Sequence, residues 1–125
     1  MTLKNDFYEV VSADKDAAPP YFRIRLNPSH QIFQAHFPGE PVTPGVCLIQ
    51  TGLELAEDFL GRKLRLHLLK NVKFLSVVSP LQTPEFVFRI TKVTVAEDSD
   101  EVALQLTADD GDTPLLKMSM VCLAI

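Results

Sequence analysis

Cysteine is scarce in this chain. Only Cys47 and Cys122 occur among 125 residues, and their spacing fits no metal-binding motif. A disulfide stays open at this level, but two buried thiols in a reducing compartment is the plainer expectation. Positive charge is also short. Twelve lysines and arginines stand against sixteen aspartates and glutamates, leaving a net charge of −4. That balance argues against nucleic acid as a partner, because phosphate binding needs a basic patch. The one local basic cluster is GRKLRLHLLK, Gly61 to Lys70. No apolar run reaches the roughly 18 residues that a membrane-spanning helix needs. The start, MTLKNDFYEV, lacks the apolar core of a secretory signal. The expected location is the cytoplasm, with no membrane contact.

What is present fits one domain with its own core. Apolar residues make up 46% and charged residues 22%. A chain of this length buries roughly 65–70% of its unfolded surface, enough to fold without staples. FYEVV near the start has the look of a short strand. SADKDAAPP, Ser12 to Pro20, is polar and ends in two prolines, so it predicts a loop. YFRIRL then alternates Phe22, Ile24 and Leu26 with Arg23 and Arg25, the pattern of a half-buried strand.

Next comes HFPGEPVTPGVCLIQTGLE, His36 to Glu54. Pro38, Gly39, Pro41, Pro44 and Gly45 exclude regular structure up to Gly45. From Val46 the apolar residues Val46, Ile49, Leu53, Ala56 and Leu60 recur at three- and four-residue spacing. Leu48, Leu55 and Phe59 widen the stripe until it nearly surrounds the axis, so a mostly buried helix is predicted from Val46 to Leu60. Gly61 is placed to end it. NVKFLSVV (Asn71 to Val78), EFVFRITKVTV (Glu85 to Val95), EVALQLTA (Glu101 to Ala108) and LLKMSMVCLA (Leu115 to Ala124) read as strands. Tight acidic turns, EDSD and DDGD, join the last three into an antiparallel meander. One apolar helix between two early strands and a run of later ones gives an α+β class, a sheet wrapped around a helix.

The stretch HFPGEPVTPGVCLIQ resembles the signature of the hotdog-fold β-hydroxyacyl-(acyl carrier protein) dehydratases, H-F-P-G-x-P-V-x-P-G followed by a helix. His36, Phe37, Pro38, Gly39, Pro41, Val42, Pro44 and Gly45 all match. VKFLSVVSP, Val72 to Pro80, is similar to the family's next strand, a weaker motif on its own. The resemblance implies a hotdog fold over 1–125, a homodimer or a trimer of dimers, and a 3-hydroxyacyl substrate. That substrate would be carried on the phosphopantetheine of an acyl carrier protein, or on coenzyme A. It implies no metal and no cofactor.

Dehydrating such a thioester takes a base for the proton beside the carbonyl, a site for the enolate oxygen, and a proton for the leaving hydroxide. Histidine titrates near neutral pH and suits the first task. His36 matches the family's catalytic histidine, and the rigid turns after it would fix its backbone. Phe37 beside it would line the substrate site. The first amides of the helix, at Gly45 and Val46, are unpaired and favour negative charge, so they are the oxyanion candidates. Gly45 has no side chain to block a thioester carbonyl.

The third task exposes a departure from the family. Fourteen positions after the histidine, the family carries a helix acid that reaches the partner subunit's site. This chain has Gln50 there, and an amide cannot exchange a proton at useful pH. Four residues on, where the family commonly has glutamine, this chain has Glu54. Positions i and i+4 share a helix face, so Glu54 is a candidate for the missing acid. His30 and His67 carry no motif and are expected at the surface. Cys47, in the first helical turn, is expected to be a buried structural thiol. Arg62, Lys63 and Arg65 would either attract an acidic carrier protein or form an ordinary solvated helix end. Two other readings remain. One is a non-catalytic acyl-binding subunit, or one paired with an active homologue that supplies the acid. The other is a hotdog thioesterase, since fold alone does not fix the reaction.

Overall fold

Alternating apolar residues build the sheet, and one helix fills it. A computed structural model describes residues 2–35 and 39–125. Its strands are β1 (Tyr8–Asp14), β2 (Tyr21–Leu26), β3 (Leu64–Phe74), β4 (Glu85–Val95), β5 (Glu101–Asp109) and β6 (Pro114–Ala124). They form one sheet in the order β1-β2-β4-β5-β6-β3, with every neighbouring pair antiparallel. Val102, Leu104, Leu106 and Ala108 of β5 are buried, and so are Phe22, Ile24 and Leu26 of β2. Period-2 burial of this kind turns one face of the sheet toward a core. Irregular register in β1, in β4 and twice in β3 marks bulges, which bend strands and increase twist.

The core helix, α2 (Gly45–Leu60), buries Cys47, Leu48, Leu53, Leu55 and Ala56 in the same cluster as the sheet residues. Gly52 is where it comes closest. A Cβ there would overlap the Met118 methyl group and stand 3.4 Å from Leu106 and 3.5 Å from Phe88. The helix ends at Gly61, whose φ of 69° is left-handed and whose N–H donates to the Glu57 carbonyl at 2.8 Å. The expected α+β hotdog architecture is therefore present, with the helix and the β4-β5-β6 meander where the periodicity put them.

Four local expectations need correction. β1 runs on to Asp14, so the loop expected from Ser12 to Pro20 begins only at Lys15. The third strand begins at Leu64, not Asn71, and ends at Phe74, so most of the basic stretch lies on a strand. Its burial does not alternate: after Leu64 every residue but the half-buried Val72 is exposed, and two bulges interrupt its register. A short helix, α1 (Gln31–Ala35), precedes the proline-rich stretch and was not anticipated. His30 is half-buried and not freely exposed. Its Nδ1 accepts the Ile32 N–H at 3.1 Å, which leaves Nε2 to donate to Asp6 at 3.2 Å, and its ring meets Phe7 edge-on. Among the described residues no helix is long and apolar enough to cross a membrane.

Candidate active site

The beginning of α2 has no side-chain cap. Pro44 stands at the N-cap with φ −62° and ψ 141°, and it offers only its carbonyl, to Cys47 N–H at 3.0 Å and Leu48 N–H at 3.3 Å. Among the described residues no hydrogen bond uses the N–H of Gly45 or Val46. Such amides carry the positive end of the helix dipole. The loop before them is tied to the sheet side by Thr43 N–H donating to the Val78 carbonyl at 2.8 Å. A groove of about 340 Å³ runs beside them, lined by Thr43, Gly45, Leu48, Phe74 and Val77. The Phe74 ring lies over Gly45, and a Cβ at that position would come within 2.5 Å of it. The missing side chain at Gly45 is therefore used by an aromatic wall next to the amides. Thr43 Oγ is buried in this wall without a partner among the described residues.

One turn further along α2, Gln50 and Glu54 meet. Gln50 Nε2 donates to Glu54 Oε2 at 2.9 Å. The same oxygen accepts the Leu3 N–H at 2.8 Å, while Oε1 accepts the Lys4 N–H at 2.9 Å and the Tyr8 hydroxyl at 3.1 Å. Burial, and then the charge of Glu54, push the Tyr8 phenol far above its ordinary range, so it stays a donor. Glu54 is 8% exposed, and its carboxylate thus holds the N-terminal segment, the first strand and Gln50 together. Both residues face a cleft of about 780 Å³ that continues past Arg62 and Arg65 to Ile125.

The structure thus brings Gln50 and Glu54 together, and sets Gly45 and Val46 at the open helix start. His36 and Phe37 lie outside the described residues. Sequence reasoning missed Tyr8 and the backbone of Leu3 and Lys4. An acid on a nearly all-apolar helix was the one available signal, since burying a carboxylate demands donors. Among the described residues no group of His, Cys, Asp or Glu is arranged to hold a metal ion.

The two cysteines are buried and free, as the plainer reading had them. Burial raises both thiols, and for Cys122 burial and then the Glu57 charge push it up to about 11. At pH 8 both are thiols, and only thiolates react. Iodoacetamide at that pH should modify neither in the folded protein within an hour and both in denaturant, which mass spectrometry would show.

A 3-hydroxyacyl-(acyl-carrier-protein) dehydratase FabZ from Levilactobacillus brevis is 39% identical over 92 residues, covering 64% of this chain and 62% of the relative. The FabZ of Clostridium acetobutylicum is 35% identical over 80 residues, covering 58% of this chain and 55% of its own length. The alignments thus span little more than half of these relatives. Among solved structures, the dehydratase heterocomplex ApeI:P from Xenorhabdus doucetiae shares the fold, with a TM-score of 0.64 at 18% identity over 91% of this chain and 96% of that one. Residues 12–113 match the family model described as ApeI dehydratase, and the chain belongs to this ApeI-like family of hotdog dehydratases.

Proposed function

We propose that this chain dehydrates a 3-hydroxyacyl thioester carried on the phosphopantetheine of an acyl carrier protein or on coenzyme A, in fatty acid or related acyl-chain synthesis. The observation that carries the reading is the uncapped start of α2 at Gly45, the last residue of HFPGEPVTPG, in a chain of this family. His36 takes the proton from carbon 2. Charge then develops on the thioester oxygen, where the amides of Gly45 and Val46 stabilise it beside the Phe74 ring. Phe37 lines the same site. The carbon 2 electron pair forms the double bond to carbon 3 as the C3–O bond breaks. The leaving hydroxide takes its proton back from the His36 imidazolium and departs as water. One histidine serves as base and then acid, because Gln50 can hydrogen-bond the hydroxyl but cannot supply a proton. Glu54, the candidate for the missing acid, keeps both carboxylate oxygens on donors of its own chain and serves the site through Gln50 instead. The reaction needs no metal or cofactor, and the protein works in the cytoplasm.

A homodimer, alone or within a trimer of dimers, is part of this proposal. β3 is a long edge strand, and Leu66, Leu68 and Leu69 on it are substantially exposed. An edge like this pairs with another chain unless it is covered. Leu68→Lys should convert the dimer to monomer in sedimentation velocity, with a weakening of at least tenfold.

A second reading is favoured by the four donors around Glu54, all of which come from its own chain. A carboxylate held in this way is not offered across an interface. In this reading the chain pairs with an active homologue whose helix acid completes the site. The test is to follow enoyl formation from a 3-hydroxyacyl thioester by the purified chain alone. Turnover supports the first reading. Turnover only after a homologue is added supports the second, and none in either case removes both.

A further inference from the structure

Glu54 does more to Gln50 than lie beside it. An amide has a donating end and an accepting end, and a carboxylate oxygen takes a hydrogen bond only from the donor. The 2.9 Å contact therefore fixes Nε2 toward Glu54 Oε2 and turns Oε1 the other way. The carboxylate cannot rotate to release it. Leu3 N–H holds the same oxygen, and Lys4 N–H and the Tyr8 hydroxyl hold the other. Gln50 is half-buried and lines the cleft together with Glu54.

We propose that Glu54 is a positioning residue that sets the polarity of position 50, so that Gln50 meets a ligand as a hydrogen-bond acceptor and selects a hydroxyl over a carbonyl. The oxygen accepts up to two bonds, so a further partner within the protein leaves this role intact. A 3-hydroxyacyl chain presents an O–H to this oxygen. A 3-oxoacyl chain presents a second acceptor, which leaves both oxygens unsatisfied. The choice of these ligands rests on the dehydratase reading. The hold of Glu54 on the Gln50 amide does not.

The test has two parts. In the first, the side-chain amide of Gln50 is observed by 1H–15N NMR with no ligand present. The proton it donates to Glu54 should exchange slowly with solvent in the wild type and at least tenfold faster in Glu54→Gln. In the second, binding is measured for 3-hydroxyoctanoyl and 3-oxooctanoyl pantetheine analogues in which an amide replaces the thioester, so that neither reacts. The wild type should prefer the hydroxy form about tenfold or more. Gln50→Leu should bring that ratio close to one, and Glu54→Gln should lower it because the paired amides are then free to flip. Leu104→Ala, in the core on β5 and outside the cleft lining, is the control for simple destabilisation. It should lower the melting temperature and leave the ratio unchanged.

An amide that exchanges as fast in the wild type as in Glu54→Gln overturns the proposal. So does a binding ratio unchanged by Gln50→Leu and Glu54→Gln. A protected amide proton with no binding of either analogue overturns the acyl-thioester reading, and with it the selection of a hydroxyl, while leaving the hold of Glu54 on Gln50 established.

Discussion

Replacing His36 by alanine should lower kcat/KM for dehydration by about 10²- to 10⁴-fold, the usual contribution of a positioned general acid–base. The expected loss lies toward the upper end, because the proposed cycle uses this one group twice. It removes the carbon 2 proton and then returns a proton to the leaving hydroxide. A site with a separate acid would keep part of its rate when the base is lost. Here both proton transfers fail together. Binding of a non-reacting analogue should change little, since the amides of Gly45 and Val46 and the wall formed by Phe74 remain. The measurement is therefore paired: steady-state rates, and affinity for an unreactive amide analogue. A variant that loses rate and affinity equally would place His36 in binding instead of proton transfer.

Glu54→Ala should destabilise the fold by about 3–5 kcal/mol, read from urea denaturation. The size follows from what is left behind. Leu3 N–H and the Tyr8 hydroxyl are buried donors that lose their acceptor together. Lys4 N–H and the Gln50 amide, both partly buried, lose theirs as well. Each unsatisfied buried donor costs on the order of 1–3 kcal/mol, reduced where water reaches it. Glu54→Leu should fare no better, since filling the volume does not satisfy the donors. Tyr8→Phe removes a donor together with its need and should cost only about 1–2 kcal/mol. A Glu54→Ala variant as stable as the wild type would show that the carboxylate does not hold the N-terminal segment onto α2.

These two residues also show what the sequence could reveal. α2 was legible because its apolar residues recur at helical spacing and end at a glycine, and the β4-β5-β6 meander because alternation and acidic turns are local signals. β3 was misplaced at its start because two bulges and almost continuous exposure leave its leucines among basic residues with no period. α1, at five residues, is too short to show a helical pattern. His30 caps that helix through a ring nitrogen, which no spacing rule announces. The exchange of acid and amide at Gln50 and Glu54 was visible against the family pattern. What surrounds Glu54 was not, because Tyr8 reaches it across 46 positions and the other two anchors are backbone amides. Periodicity reports local faces, whereas those contacts exist only after the N-terminal segment has folded onto the helix.

The most direct test of the proposed reaction is the mass of the product formed from a 3-hydroxyacyl thioester. The proposal predicts a thioester lighter by one water, with the acyl chain still attached to sulfur, and its disappearance in His36→Ala. Release of free thiol together with the intact 3-hydroxy acid would contradict it and make the chain a thioesterase of the same fold.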